Sequence, residues 1–118
     1  MADALKIYLS GPMTGLPDMN YPAFHAEAAR LRAMGHMVYN PAEYPHDGPA
    51  EAFPIRQAFS DYCRFLCLEA NAIFMLRGWQ SSRGAQIEYR LADYLGLTIY
   101  QQLHRPLIQP AAEGKAHG

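Results

Sequence analysis

Hydrophobic residues fall along the chain with two alternating periods, and the changes of period mark the elements. Leu5-Lys6-Ile7-Tyr8-Leu9 is a short run of β-favouring side chains stopped by Ser10-Gly11-Pro12, which predicts a strand and a turn. The stretch to Asn20 holds Gly11, Pro12, Gly15 and Pro17 and predicts irregular backbone. Pro22 suits the first turn of a helix; Phe24, Ala28 and Leu31 share one face of it, and Gly35 ends it. Met37-Val38-Tyr39 reads as a second strand. Asn40-Pro41-Ala42-Glu43 has helix-cap chemistry, but Pro45 limits it to one turn. Residues 44–54, with Pro45, Gly48, Pro49 and Pro54, predict an exposed loop. A helix from about Ile55 to Ala70, a buried strand over Ala72–Leu76 and a loop over Gly78–Ser82 follow. The pattern closes with a helix over Arg83–Leu95 ended by Gly96, and a strand over Leu97–Tyr100.

Strands alternating with helices predict an α/β fold: a single three-layer domain, flavodoxin-like or Rossmann-like, with a parallel sheet of about five strands. Ligands of such sheets bind at the carboxyl ends of the strands, so loops 10–20, 40–54 and 77–83 form the expected binding edge. At 118 residues the chain is one domain, assigned to residues 1–105. Residues 106–118 turn to Pro, Ala, Gly and His and predict a flexible tail. There is no internal repeat.

Composition narrows the function classes. A net charge of −1 and 18% charged residues leave no basic stripe for a nucleic-acid polymer. The first residues lack a basic region followed by an apolar run, and no stretch nears the ~20 apolar residues that span a bilayer, so a cytoplasmic protein is expected. Cys63 and Cys67 share a helical face; without a further ligand cluster they read as core thiols rather than a metal site.

The candidate chemistry lies in the loops. Ser82-Arg83-Gly84-Ala85-Gln86-Ile87-Glu88 leaves a strand, crosses a polar loop and enters a helix. Unpaired N–H groups at a helix start attract anions. Glu88 lies one turn in, and its side chain leans back over Gly84 and Ala85, which leave room above the carboxylate. Taken alone, a helical glutamate is more often solvated. The first loop, Ser10-Gly11-Pro12-Met13-Thr14-Gly15, matches neither a Walker A loop nor Gly-x-Gly-x-x-Gly and reads equally as a ligand loop or a plain turn. Tyr8 closes the first strand, where its hydroxyl can reach a pocket. Trp79 is placed either to stack on a base or to serve as a wall.

Tyr8-Leu9-Ser10-Gly11-Pro12-Met13-Thr14-Gly15, Asn40-Pro41-Ala42-Glu43 and Gly78-Trp79-x-x-Ser82-x-Gly84-Ala85-x-x-Glu88 together resemble the DUF4406 family over about residues 5–100. That family is similar to the nucleoside 2-deoxyribosyltransferase superfamily, which includes deoxynucleoside 5′-monophosphate N-glycosidases. The resemblance implies Glu88 as nucleophile and Tyr8 as the residue that orients it. It sets Ser82 where monophosphate hydrolases carry a phosphate ligand and nucleoside transferases often carry Asp. Asp61 is the nearest candidate for the acid at the leaving base, although its offset from the third strand departs from the superfamily's. Asn71 stands where related sequences tend to have Asp.

The expected function is therefore cleavage, by hydrolysis or transfer, of the N-glycosidic bond of a nucleoside 5′-monophosphate or nucleoside, through a glycosyl-Glu88 intermediate. Catalytic residues are Glu88, Tyr8 and Asp61. Ser10, Gly11, Pro12, Met13, Thr14, Gly15, Asn40, Trp79, Ser82, Arg83 and Gly84 are expected to bind substrate. No metal or organic cofactor is required. A homo-oligomer is expected, with the aromatic segment Tyr62–Phe65 as its apolar interface. The alternatives are a nucleotide-binding module without turnover and a phosphate-binding interaction protein.

Overall fold

A computed structural model of the chain describes residues 3–102 together with Ile108, Pro110 and Ala111. Four strands, β1 (Lys6–Ser10), β2 (Met37–Tyr39), β3 (Ala72–Met75) and β4 (Thr98–Gln101), alternate with three helices, α1 (Tyr21–Ala33), α2 (Ile55–Leu68) and α3 (Arg83–Leu95). Short 3-10 turns cover Pro17–Asn20, Pro41–Glu43, Ala50–Ala52 and Trp79–Ser81. All pairings are parallel, in the order β2-β1-β3-β4. The expected three-layer α/β architecture is present with four strands rather than about five among the described residues. The sequence itself contains only four β runs. Among those residues no helix is long and apolar enough to cross a membrane.

Successive side chains of a strand point to opposite faces, and both faces of this sheet are covered. Ile7 and Leu9 of β1, with Ala72 and Phe74 of β3, meet Phe24, Ala28 and Leu31 of α1. Tyr8 of β1, with Ile73 and Met75 of β3, meets Ala58, Tyr62, Phe65 and Leu66 of α2 and Ala85 and Ala92 of α3. Cys63 and Cys67 lie beside that stripe of α2, not on it. Cys63 is half-buried and Cys67 exposed, which corrects their assignment to the core. Tyr62 and Phe65, expected at a subunit interface, are instead buried against the sheet, because the i, i+4, i+7 face of α2 carries them inward.

Of the expected tail, Ile108 packs against the α1-side core and the Ala111 N–H donates to the Met34 carbonyl at 2.7 Å. The rest of residues 106–118, apart from Pro110, lies outside the described residues.

Strand order places the site. β1 is flanked by β2 and β3, so the chain leaves its carboxyl end at the switch in order, beside the loop that follows β3. Gly11 is required for that approach: a Cβ there would stand 2.8 Å from the Cβ of Leu76. Beyond it, Asp18, Met19 and Asn20 are all left-handed, with φ of 52°, 54° and 61°. Each such non-glycine residue costs about 1–2 kcal/mol. The Asn20 side-chain amide offsets part of this by donating to the Pro12 carbonyl at 2.9 Å.

Candidate active site

Glu88 sits one turn into α3, on the face that also buries Ala85 and Ala92. Ser82 caps this helix through its Oγ, which accepts from the Ala85 N–H at 3.2 Å, and left-handed Gly96 closes it. The side chain of Glu88 leans toward the helix start and meets β1. There Tyr8 and Ser10, two residues apart, project from the same face. The Tyr8 hydroxyl donates to Oε2 at 2.8 Å and the Ser10 hydroxyl to Oε1 at 2.6 Å. Each carboxylate oxygen is held by one hydroxyl.

Glu88 is only 6% exposed. Burial pushes its carboxyl up to about 7, against the opposing pull of the Ser10 and Tyr8 hydroxyls. Burial and the neighbouring Glu88 hold the Tyr8 phenol well above its ordinary value, so it stays a donor.

A cleft of about 330 Å³ opens over the carboxylate. Of the expected site residues, Tyr8, Ser10, Gly11, Met13, Thr14, Ser82, Gly84 and Glu88 line it. The far wall is Ile55, Phe59 and Tyr62 of α2, which sequence reasoning did not assign to the site. The i, i+4 spacing of Ala58 and Tyr62 was the available signal for Tyr62. Ser10 was expected only as a substrate contact, yet the period of two from Tyr8 already set it on the Glu88 side of the strand. At the mouth, the Ala85 and Gln86 N–H groups are satisfied by Ser82, while those of Arg83 and Gly84 have no backbone partner among the described residues.

The other expected residues stand apart from the cleft. Pro12 is buried behind the first loop, where its carbonyl accepts from Asn20, and Gly15 is exposed. Asn40 is buried with its Oδ1 on the Ala42 N–H at 3.0 Å and its amide 3.2 Å from His25 Nδ1, the local cap its sequence also suggested. Trp79 stacks on Tyr89 with centroids 4.6 Å apart and donates to Gln101 Oε1 at 3.2 Å, which covers one face of its ring and uses its N–H. Arg83 is exposed outside the lining. Asp61 accepts from the Tyr44 hydroxyl at 2.7 Å and does not line the cleft. One step along a helix turns the side chain by about 100°, so Tyr62 reaches the cleft where Asp61 does not. Asn71 accepts from the Lys6 N–H at 2.8 Å where β1 and β3 begin, at the opposite end of the sheet. Its difference from Asp therefore falls far from the cleft.

No curated protein matches the sequence. The model of DUF4406, described as a domain of unknown function, matches residues 5–101, and with most of its length covered the chain belongs to that family.

Proposed function

We propose that the protein cleaves the N-glycosidic bond of a nucleoside 5′-monophosphate or nucleoside, with Glu88 as nucleophile. The observation that carries this reading is a buried carboxylate at the strand-order switch, each oxygen held by one hydroxyl, facing an open cleft. Buried glutamates are rare, and one aimed into a cleft with its carboxyl near neutrality is poised for chemistry. An oxygen of ionised Glu88 bonds to C1′ of the sugar while the C1′–N bond breaks and its electron pair leaves with the base, which takes a proton from solvent; the attacking water of the next step returns one. Water then attacks C1′, freeing the sugar and returning Glu88, or a second base attacks to give transfer. Tyr8 and Ser10 hold the carboxylate in place by donating to its ionised form.

A 5′-phosphate suits the mouth of the cleft. The Ser82 hydroxyl accepts from Ala85, which leaves its own proton to donate to a phosphate oxygen. The unused N–H groups of Arg83 and Gly84, at a helix start, add donors and a favourable dipole. Ile55 and Ile87 stand 58% and 53% exposed on the rims, which supports assembly of a second copy about this opening.

A second reading is a nucleotide-binding module without turnover. It is favoured by Asp61 being held by Tyr44, which leaves Glu88 as the only acidic side chain lining the cleft among the described residues.

The deciding experiment incubates the protein with a panel of nucleosides and their 5′-monophosphates and follows free base by chromatography. Base release is expected from wild type, reduced by about 10³-fold or more in Glu88→Gln. Wild-type rates in a folded Glu88→Gln variant rule out Glu88 as nucleophile. Ligand binding with no base release from any member favours the binding module.

A further inference from the structure

A second cavity, of about 400 Å³, adjoins the Glu88 cleft. The two share Met13, Thr14, Ile55 and Tyr62 in their linings, which sets them side by side; the second adds Met19, Tyr21, Phe53 and Glu51. Its walls are mostly aromatic, thioether and aliphatic, with Thr14 adding a hydroxyl, and among the described residues no lysine or arginine lines it. A phosphate finds no cation there, and the Glu51 carboxylate repels it. A flat, neutral ring fits: aromatic walls offer stacking faces, and methionine adapts to a ring's outline. Glu51 is the one charged side chain of the lining, exposed and with no partner among the described residues. A carboxylate accepts hydrogen bonds and donates none, so it selects a ring that presents N–H donors.

The backbone gives an independent reason to regard this bay as built for a ligand. Met19, which also lines it, is the middle of the left-handed turn Asp18–Asn20 that leads into Tyr21. Asp and Asn adopt that conformation more readily than methionine does. Strain of this kind persists where the surroundings impose it, and it concentrates at ligand clamps. Here the Asn20–Pro12 bond helps to hold the turn, whose Met19 and the following Tyr21 line the bay.

We infer that this bay takes the leaving base and that Glu51 makes the protein selective for bases carrying an exocyclic amino group over those with an oxo group at the same position. An amino group donates to the carboxylate; a carbonyl oxygen faces it as a second acceptor and is repelled. This inference rests on the proposed N-glycosidic activity, and its test separates the two.

Pairs that exchange the amino group for an oxo group, with the neighbouring ring nitrogen changing from acceptor to N–H, are compared by kcat/KM: adenosine against inosine monophosphate and cytidine against uridine monophosphate, as ribo and deoxyribo forms. The amino member is expected to be favoured by about tenfold or more, since sites built around a hydrogen bond reject analogues that cannot make it. In Glu51→Ala the preference collapses to within about twofold, while Phe53→Ala weakens both members alike. Glu51 is exposed, so its replacement leaves the fold intact. Equal rates for both members of each pair in wild type overturn the inference and leave the N-glycosidic reading standing. If no compound releases base, that reading fails, and calorimetry with the free bases decides the bay alone. Adenine bound more tightly than hypoxanthine in wild type but not in Glu51→Ala upholds it. Equal binding, or none, overturns it.

Discussion

The two faces of the sheet are made from alternate residues of the same strands, and they differ in kind. Toward α1 the sheet presents Ile7, Leu9, Ala72 and Phe74, met by Phe24, Ala28 and Leu31, a contact of hydrocarbon on hydrocarbon. Toward α2 and α3 it presents Tyr8 and Ser10, and α3 returns Glu88. The first face needs only shape and apolar area, which stabilise without reference to pH. The second buries a carboxyl that water would solvate better, and hydroxyls recover part of that loss. A single five-residue strand thus turns Ile7 and Leu9 to the apolar core and Tyr8 and Ser10 to the buried carboxyl. If that division is real, the two faces answer differently to truncation, to pH and to loss of a hydroxyl.

The largest effect on stability is expected on the α1 face. Leu31 is fully buried in that cluster, so Leu31→Ala loses both transfer energy and packing and is expected to destabilise by about 2–5 kcal/mol. Denaturant unfolding at pH 5 and pH 8 measures it, and the loss should be the same at both. A loss that varies with pH breaks the comparison, because nothing apolar titrates.

Glu88→Gln should act in the opposite direction. Its folded carboxyl titrates near 7 rather than at the ordinary 4.5. Below about 4.5 the group is neutral whether the chain is folded or not, and its burial carries no ionic cost. Between 4.5 and 7 the unfolded chain ionises first, so wild-type stability falls as pH rises and levels off above 7. Glutamine does not titrate. With the difference at pH 4.5 as baseline, Glu88→Gln should gain on wild type by roughly 3 kcal/mol at about pH 8. The same variant is expected to lose about 10³-fold or more of base release, the usual exchange of stability against a functional site. Parallel stability curves for the two proteins across this range would show that Glu88 is not strained by burial.

The apolar face was the more legible half of the molecule. Its positions follow from periods of 2 and 3.6, and α1, α3 and all four strands lie within a residue or two of where those periods put them. The ends of α3 were legible from Ser82 and Gly96, whose cap roles are local. The polar face depends on which elements meet. That Glu88 meets Tyr8, 80 residues away, came from likeness to a family rather than from any spacing. Ser10 was within reach of the strand period and was read only as a loop residue. Asp61 was chosen as the acidic residue nearest the position that the family likeness implies, and helix geometry gave the cleft wall to its neighbour Tyr62. The left-handed Asp18–Asn20 turn carries no glycine and so leaves no local mark.

The smallest effect sharpens the comparison most, because it removes one atom. Tyr8→Phe keeps the ring, its place against Tyr62 and Phe65 and the apolar area, and deletes only the hydroxyl that donates to Glu88 Oε2. A bond to a charged group is worth about 1.5–3 kcal/mol, and this one favours the ionised carboxylate, so its loss raises the carboxyl. The Glu88 titration, starting near 7, is expected to move up by about one pH unit, as followed by infrared or carbon NMR of the carboxyl. That readout requires no substrate. Base release, which needs the ionised nucleophile, should rise with pH through the same titration, so its limb should move with it and the rate lost at pH 7 should return at higher pH. Ser10 still holds Oε1, which keeps the carboxylate in place and the effect modest. An unmoved titration in Tyr8→Phe would mean that the hydroxyl only fills space and that the polar face, like the apolar one, is packing.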